Sequence, residues 1–270
     1  MRAGALSAWW SESGGEARTL RPLENGFPLY RWGSAFYNLI QRRLPLFHYL
    51  YFHFLEWASL HRGPRRILSS GKFARQVAEF TPDLVLSVHA HLNHGYFRLC
   101  EDALPEKRMK FVIFCGELAD GNGFSRHWIN PLADLFSGPF EETCEAARRR
   151  GMPAERTLAS GPLLRKPFYD RPGQPGRDEF LAKYDLSPDL KTYVLGTGAN
   201  GVNRHRQVVE AFNRSENPCQ LLALCGRNES TLADLNRIKK SSRVPFVALP
   251  EVSASDMALI LRQADCLFAR

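Results

Sequence analysis

The chain has 270 residues, of which 44% are hydrophobic and 11% aromatic, and this ordinary globular composition predicts a packed core. Its formal net charge of +8 favours anionic partners such as phosphorylated ligands, nucleic acid or an anionic bilayer surface. The first thirty residues lack a basic-then-apolar signal pattern, and no run reaches the roughly 18 apolar residues that span a bilayer. The six cysteines have no C-x-x-C spacing, so we expect reduced thiols and a cytoplasmic protein.

Taken in chain order, the hydrophobic pattern predicts alternating helices and strands. Before residue 151 it predicts a helix over 3–10, a possible strand over 16–20, a helix over 69–80, strands over 84–88, 110–114 and 134–136, and a helix over 141–150. After residue 190 it predicts strands over 192–195, 221–224, 245–249 and 265–268. This alternation indicates an α/β protein with mostly parallel sheets. A Pro/Gly-rich linker at 167–176 divides an N-terminal domain, 1–166, from a C-terminal domain, 177–270.

Residues 28–62 are dense in aromatic side chains, at spacings that are irregular but mostly helical. Basic residues accompany them, and Glu56 is the only acid between Arg42 and Arg75. Aromatic and basic helices of this kind lie well at the headgroup layer of an anionic membrane. The other interpretation is a core-packed helix pair with a solvated basic rim. No nucleic-acid-binding motif accompanies the charge, so we expect no nucleic-acid partner.

A glycine-rich motif, Gly196-x-Gly198-x-x-Gly201, directly follows the predicted strand over 192–195. Glycines in such a turn let backbone N–H groups approach a diphosphate at a helix N-terminus. A dinucleotide site also needs an acid at the end of the next strand for the ribose. That strand ends at Arg227 and Asn228, and the nearest acid is Glu229. The motif therefore fits a dinucleotide site, a tight structural turn or, as we favour, a phosphate-facing turn in another nucleotide-binding fold.

His89-Ala90-His91-Leu92-Asn93-His94 follows the predicted strand over 84–88 and is similar to the H-x-H-x-D-H zinc motif of metallo-β-lactamase-type hydrolases. Imidazoles two residues apart at a strand end can share one metal ion. Asn93 replaces the aspartate of that motif and cannot supply a carboxylate ligand. The alternatives are a zinc site and a substrate-pocket loop at the carboxyl end of a strand. We predict the loop, with no metal.

Glu117, Asp120 and Asn122 follow the predicted strand over 110–114 in a glycine-rich loop. Carboxylates at the carboxyl end of a strand suit general-base catalysis or the binding of sugar hydroxyls. The other interpretation is a solvated loop stabilised by Asx turns.

Five motifs in order, within the span from Phe36 to Arg270, resemble the glycolipid glycosyltransferases of monogalactosyldiacylglycerol synthase and processive diacylglycerol glucosyltransferase, which are relatives of the UDP-GlcNAc transferase of peptidoglycan synthesis (glycosyltransferase family 28-like). The motifs are Pro82-Asp83-Leu84-Val85-Leu86-Ser87-Val88-His89; Ala119-Asp120-Gly121-Asn122 with Trp128 and Pro131; Gly161-Pro162-Leu163-Leu164-Arg165-Lys166-Pro167-Phe168; Leu224-Cys225-Gly226-Arg227-Asn228; and Ala264-Asp265-Cys266.

The resemblance implies the GT-B fold, in which two Rossmann-like domains with mostly parallel sheets face each other across a cleft. The C-terminal domain would bind a UDP-sugar, and the N-terminal domain would meet a lipid acceptor at an anionic membrane surface. The implied reaction is an inverting transfer of galactose or glucose to diacylglycerol, without a cofactor. We therefore expect the protein to be cytoplasmic and peripheral on the inner face of the membrane.

The same resemblance assigns roles to residues by their positions in the motifs and segments described. The implied catalytic residues are Asp120 and His89, Asn122 is an implied acceptor-binding residue, and the implied nucleotide-sugar-binding residues are Gly198, Asn200, Gly201, Arg227, Leu249, Pro250 and Glu251. The loops after the strands add Asn93 and Glu117 as predicted acceptor-binding residues, and the aromatic and basic segment supplies the predicted membrane contacts Arg42, Arg43, Arg65, Arg66 and Trp57.

Two motifs of the family are missing from the sequence: an opening strand with a Gly-Gly-Gly-His loop, and a G-x-x-T-x-x-E donor loop. Ala119 and Asn130 also replace the threonine and histidine of the family's T-D-L-N loop. We therefore expect the first strand of the N-terminal domain and the second half of the C-terminal domain to be missing, and the chain itself to be inactive as a transferase. The alternatives are an inert membrane-surface remnant and a zinc hydrolase at His89, His91 and His94.

Overall fold

The computed structural model of the chain describes residues 2–25, 32–33, 53–54, 56–57, 67, 70–118, 124–169, 176–196 and 204–269. Contacts divide the chain into two compact units, Met1–Leu164 and Arg165–Arg270, and each contains one sheet. This division falls two residues before the predicted end of the first domain at residue 166. The predicted linker stays a prediction, because residues 170–175 lie outside the described part of the chain.

The first unit contains a sheet of four parallel strands in the order β1-β2-β3-β4. The strands are β1 (Leu84–Ser87), β2 (Lys110–Phe114), β3 (Leu135–Gly138) and β4 (Thr157–Ala159). In the register, Leu86 aligns with Val112 and Ile113 aligns with Phe136. Because all four strands are parallel, the loops that follow them leave from one edge of the sheet, where ligands of α/β proteins bind.

The second unit contains a parallel sheet in the order β7-β6-β5-β8. Its strands are β5 (Lys191–Gly196), β6 (Cys219–Gly226), β7 (Phe246–Pro250) and β8 (Cys266–Ala269). Counted within the unit, this is the order 3-2-1-4 of a dinucleotide-binding half. The chain moves outward from β5 to β7 and then crosses to the other side of β5, so a topological switch point lies at the carboxyl ends of β5 and β8. The predicted α/β class with mostly parallel sheets is confirmed.

Helices precede the first described strand of each unit and connect several of the later strands. The first unit has α1 (Arg2–Glu12), α2 (Pro22–Asn25), α3 (Ser70–Phe80), α4 (Gly95–Ala103) and α5 (Glu141–Arg149). The second has α6 (Arg177–Lys183), α7 (His205–Asn213), α8 (Glu229–Ile238) and α9 (Ala254–Gln263). Short 3₁₀ turns cover Ala90–Leu92, Arg126–Trp128, Ala154–Arg156, Lys166–Phe168 and Lys239–Ser241.

Apolar strand residues form the cores. Phe111 and Ile113 of β2 are fully buried, and Phe97 of α4 stacks on Phe111 with ring centroids 3.9 Å apart. In β6 every residue from Cys219 to Cys225 is buried, as a central parallel strand covered on both faces requires. The edge strand β8, by contrast, is exposed along its length.

The described residues include an aspartate clamp of the same kind in each sheet. Asp134, just before β3, accepts a hydrogen bond from the Phe111 backbone N–H at Oδ2 (2.8 Å) and donates its own N–H to the Phe111 carbonyl (2.9 Å). Asp265, just before β8, makes the same two bonds to Thr192 of β5, at 2.8 and 2.9 Å. Lys110 pairs with Asp134 (2.7 Å), and Arg177 pairs with Asp265 (3.2 Å). Each clamp fixes the register of a parallel strand against its neighbour.

The structure differs from the predicted elements at several places. The prediction of a strand over 16–20 is wrong: the segment is irregular, and Leu20 packs in a cluster with Phe73 and Val77 of α3 instead of pairing with a strand. The strand β4 and the helices α2, α4, α6, α8 and α9 were not among the predicted elements. All six cysteines lie in the described ranges and none forms a disulfide; all are buried except Cys266, which lies on the exposed edge strand.

Candidate functional site

The carboxyl edge of the first sheet brings together two of the predicted acceptor-side residues. His89 is exposed just beyond β1, where its Nδ1 accepts the His91 backbone N–H (3.3 Å) at the start of the 3₁₀ turn. Glu117 is half-buried beyond β2, and its carbonyl accepts a bond from Thr143 of α5 (3.0 Å). Since β1 and β2 are parallel neighbours, both residues leave from the same edge of the sheet.

Asn93 is fully buried and connects two segments. Its side-chain amide donates to the carbonyls of His127 (3.2 Å) and Trp128 (3.5 Å), and its own carbonyl accepts from the Asn130 side chain (2.5 Å). These bonds hold the loop after β1 against the 3₁₀ turn that follows β2. Its proposed contact with an acceptor stays a prediction, because the described bonds of its side-chain amide are all internal.

Four histidines lie close together around this loop. The ring centroids of His91 and His127 are 4.8 Å apart, those of His89 and His91 are 5.7 Å apart, and those of His94 and His127 are 6.4 Å apart. Within the ranges that the structure describes, however, no three His, Cys, Asp or Glu side chains are grouped to hold a metal ion. His127 lies 33 positions after His94, and no local sequence pattern links the two, so the sequence motif did not reveal it.

A cleft of about 270 Å³ lies beside these histidines. Its lining combines an imidazole, a guanidinium, a carboxylate and an amide with two apolar side chains: His94, Arg98, Glu101, Asn130, Phe97 and Leu132. Such a mixture of hydrogen-bonding and apolar groups suits a small ligand that carries hydroxyl groups.

Glu56 connects the aromatic and basic segment to the same region. Its carboxylate accepts bonds from the Ser125 hydroxyl and the Arg126 backbone N–H (3.1 Å for the second). The Arg126 side chain in turn donates to the Glu56 carbonyl and to the Trp57 carbonyl (3.3 Å). Two aromatic side chains next to this anchor are exposed, Phe54 by 51% and Trp57 by 78%. No helix in the described ranges is long and apolar enough to cross a membrane.

In the second unit, Arg227 and Glu251 form an ion pair across the ends of β6 and β7. Arg227 Nε lies 2.9 Å from Glu251 Oε2, and Nη2 lies 3.1 Å from Oε1. The bonded guanidinium lowers the pKa of the Glu251 carboxyl, and the nearby Arg165 lowers it further. Leu249 is half-buried and Pro250 is exposed at the end of β7. Arg227, Leu249, Pro250 and Glu251, four of the predicted nucleotide-contact residues, thus lie at or just beyond the ends of two adjacent strands.

The turn that carries Arg227 is fixed on both sides. Gly226 has φ +57°, a left-handed conformation that favours glycine, and the strand register shifts between Leu224 and Gly226. The next residue, Asn228, caps α8 by accepting the Thr231 backbone N–H at its side-chain oxygen (3.1 Å). This geometry gives two residues of the motif a local reason: Gly226 supplies the left-handed conformation, and Asn228 caps the helix.

Several predicted residues lie outside the described ranges. They are Asp120, Asn122, Gly198, Asn200, Gly201, Arg42, Arg43, Arg65 and Arg66. Their roles stay predictions.

Curated proteins similar to this chain are monogalactosyldiacylglycerol synthases. The spinach protein (Spinacia oleracea) is 23% identical over 217 residues, covering 75% of this chain and 40% of that protein. A probable synthase of soybean (Glycine max) is 26% identical over 182 residues, covering 63% of this chain and 33% of that protein. The chain thus spans about a third to two fifths of the length of these relatives.

Solved structures with a similar arrangement include HepE from Anabaena in complex with UDP-glucose (TM-score 0.49, 12% identity, 75% of this chain and 56% of that chain). MurG from Acinetobacter baumannii (TM-score 0.44, 15% identity) covers 75% of this chain and 50% of its own. No family model matches the chain. The sequence similarity nevertheless confirms the resemblance predicted from the motifs: the chain is similar, at 22–26% identity, to the monogalactosyldiacylglycerol synthases.

Proposed function

We propose that the chain is part of a glycosyltransferase that moves galactose or glucose from a UDP-sugar to the hydroxyl of diacylglycerol or a similar lipid. The observation that supports it most is the 3-2-1-4 strand order of the second unit, with the glycine-rich motif directly after the first of these strands. In this order, nucleotides bind at the carboxyl ends of the strands. Arg227 and Glu251 follow the second and third strands at that edge.

The proposed roles follow from the chemistry of the residues. Backbone N–H groups near Gly198, Asn200 and Gly201 would stabilise the leaving diphosphate, and Arg227 would lie beside the uridine. On the first unit, His89 or Asp120 would accept the proton of the acceptor hydroxyl as it attacks the anomeric carbon. Inversion follows from this single displacement.

Exposed aromatic side chains support a peripheral position at the inner face of the membrane. Phe54 and Trp57 supply apolar surface, and Arg42, Arg43, Arg65 and Arg66 supply positive charge in the same segment. Glu56 ties this segment to Ser125 and Arg126, which precede the buried His127. The membrane contact and the acceptor loop would therefore lie close together.

Nucleotide binding tests the proposed function. Titration calorimetry of the 270-residue chain should give a UDP affinity at least about tenfold higher than that for ADP or NAD, since one good hydrogen bond to the base accounts for such a factor. Equal affinities for UDP and ADP would contradict the proposal. Tightest binding of NAD would instead favour the dinucleotide interpretation of the glycine-rich motif.

Vesicle sedimentation tests the membrane contact. Reversing both charges with Arg42→Glu and Arg43→Glu should weaken binding to anionic vesicles about 30-fold or more, since each basic residue near the surface contributes about 1 kcal/mol. The matched control is Lys239→Glu with Lys240→Glu, an exposed basic pair on the second unit. Binding should also fall as salt rises. Equal losses for the two pairs would mean that only net charge matters, and would contradict the assignment.

A further inference from the structure

His205 is a buried histidine that neither the sequence motifs nor the proposed chemistry uses. It is the first residue of α7 and is only 1% exposed. Its Nε2 lies 2.9 Å from the carbonyl oxygen of Leu224. A carbonyl oxygen only accepts hydrogen bonds, so this nitrogen carries the proton. Burial lowers the pKa of His205 against the opposing effect of the bond to Leu224, so a neutral ring with its proton on Nε2 is favoured.

The partner of His205 lies at a sensitive point of the second sheet. Leu224 is the last residue of β6 before the register shift that ends at Gly226. The next residues are Cys225, the left-handed Gly226 and then Arg227. The Leu224 side chain packs in the core, and its backbone carbonyl is the group that forms the hydrogen bond with His205. A bond at this carbonyl restrains the point from which the turn departs.

We propose that His205 is a positioning residue for the nucleotide site: it ties the carboxyl end of β6 to the first turn of α7 and thereby fixes the turn that presents Arg227. This inference rests on the proposed function, because it assigns a role toward the same UDP site. The predicted nucleotide contacts on this side of the site lie at the ends of β6 and β7, and His205 would support them from α7.

Two substitutions separate the N–H donor from the volume of the ring. His205→Gln places an amide N–H near the position of Nε2, whereas His205→Met fills a similar space without a donor. We expect His205→Met to weaken UDP binding about tenfold and His205→Gln to stay within about threefold of the parent chain. Val209→Ala, a buried change on the same helix, controls for a general loss of stability, and it should leave the UDP affinity unchanged.

Amide hydrogen exchange measures the positioning without any nucleotide. Residues 225–228 should exchange faster in His205→Met than in His205→Gln or Val209→Ala. Equal UDP affinities and equal exchange in both His205 variants would overturn the inference, as would equal losses in both, since the ring rather than the N–H would then matter. Absence of UDP binding by the parent chain would refute the proposed function, while the exchange comparison would still decide whether His205 holds the turn.

Discussion

Replacing Asp265 with alanine should lower the free energy of unfolding of the second unit by about 2–3 kcal/mol. The substitution removes a charge-assisted bond to the Thr192 backbone N–H, and Thr192 is fully buried, so this donor loses its partner away from water. It also removes the pairing with Arg177. Chemical denaturation followed by circular dichroism measures the change.

Asp234→Ala is the matched control for this experiment. Asp234 has a similarly exposed side chain, 30% against 32%, and it pairs with Arg206 and Arg237, but no described backbone N–H donates to it. Surface ion pairs contribute about 0–1 kcal/mol, so this variant should lose much less stability. Equal losses for the two variants would contradict the role of the backbone bond.

The clamp also predicts how stability depends on pH. The bond from the Thr192 N–H lowers the pKa of Asp265, and the Arg177 guanidinium lowers it further against the opposing effect of burial. The carboxylate therefore contributes its full stability above the ordinary aspartate pKa of about 3.9, and this stability is lost as the pH falls toward the lower value of the folded state. Asp265→Ala should remove this part of the acid dependence.

Replacing Arg227 with alanine should weaken UDP binding by about 10- to 100-fold. The guanidinium is a donor at the end of β6, and its removal leaves the Glu251 carboxylate without this partner beside an anionic ligand. Two effects therefore add: a lost attraction and a new repulsion. Calorimetric titration with UDP measures their sum.

A double variant separates these two effects. Adding Glu251→Ala to Arg227→Ala should recover part of the lost affinity, because the repulsive carboxylate is then gone. Arg237→Ala, which removes one exposed positive charge from the last turn of α8, should change the UDP affinity by less than about twofold. A loss as large as that of Arg227→Ala would mean that UDP responds only to net charge.

Strands with long apolar runs could be predicted from the sequence, whereas β4 could not. The apolar run from Leu221 to Leu224 clearly predicts a strand, and it forms the buried centre of β6. The edge strand β4 has only three residues, and Leu158 and Ala159 are both exposed, so it has no long buried apolar run that would predict a strand. The segment 16–20 shows the opposite error. Its apolar residue Leu20 suggested a strand, but this side chain packs against helix α3 instead.

The candidate site divides in the same way. The turn around Arg227 was predictable because Gly226 and Asn228 both serve the local backbone. Glu56 was noticed only as an isolated acid, since its partner Ser125 lies 69 residues away. His205 bonds to a backbone carbonyl, which any residue at position 224 would supply. Long-range bonds of this kind leave no periodic pattern in a single sequence.

The repeated aspartate clamp also bears on the order in which the sheets assemble. Asp134 closes onto Phe111 across 23 residues, but Asp265 must find Thr192 across 73. Loop-closure entropy makes the longer closure more costly by ~1 kcal/mol. Because β8 is also exposed and pairs with β5 at the edge of the described sheet, burial offsets little of this cost. We therefore expect β8 to dock late during folding and to detach first when the second unit opens.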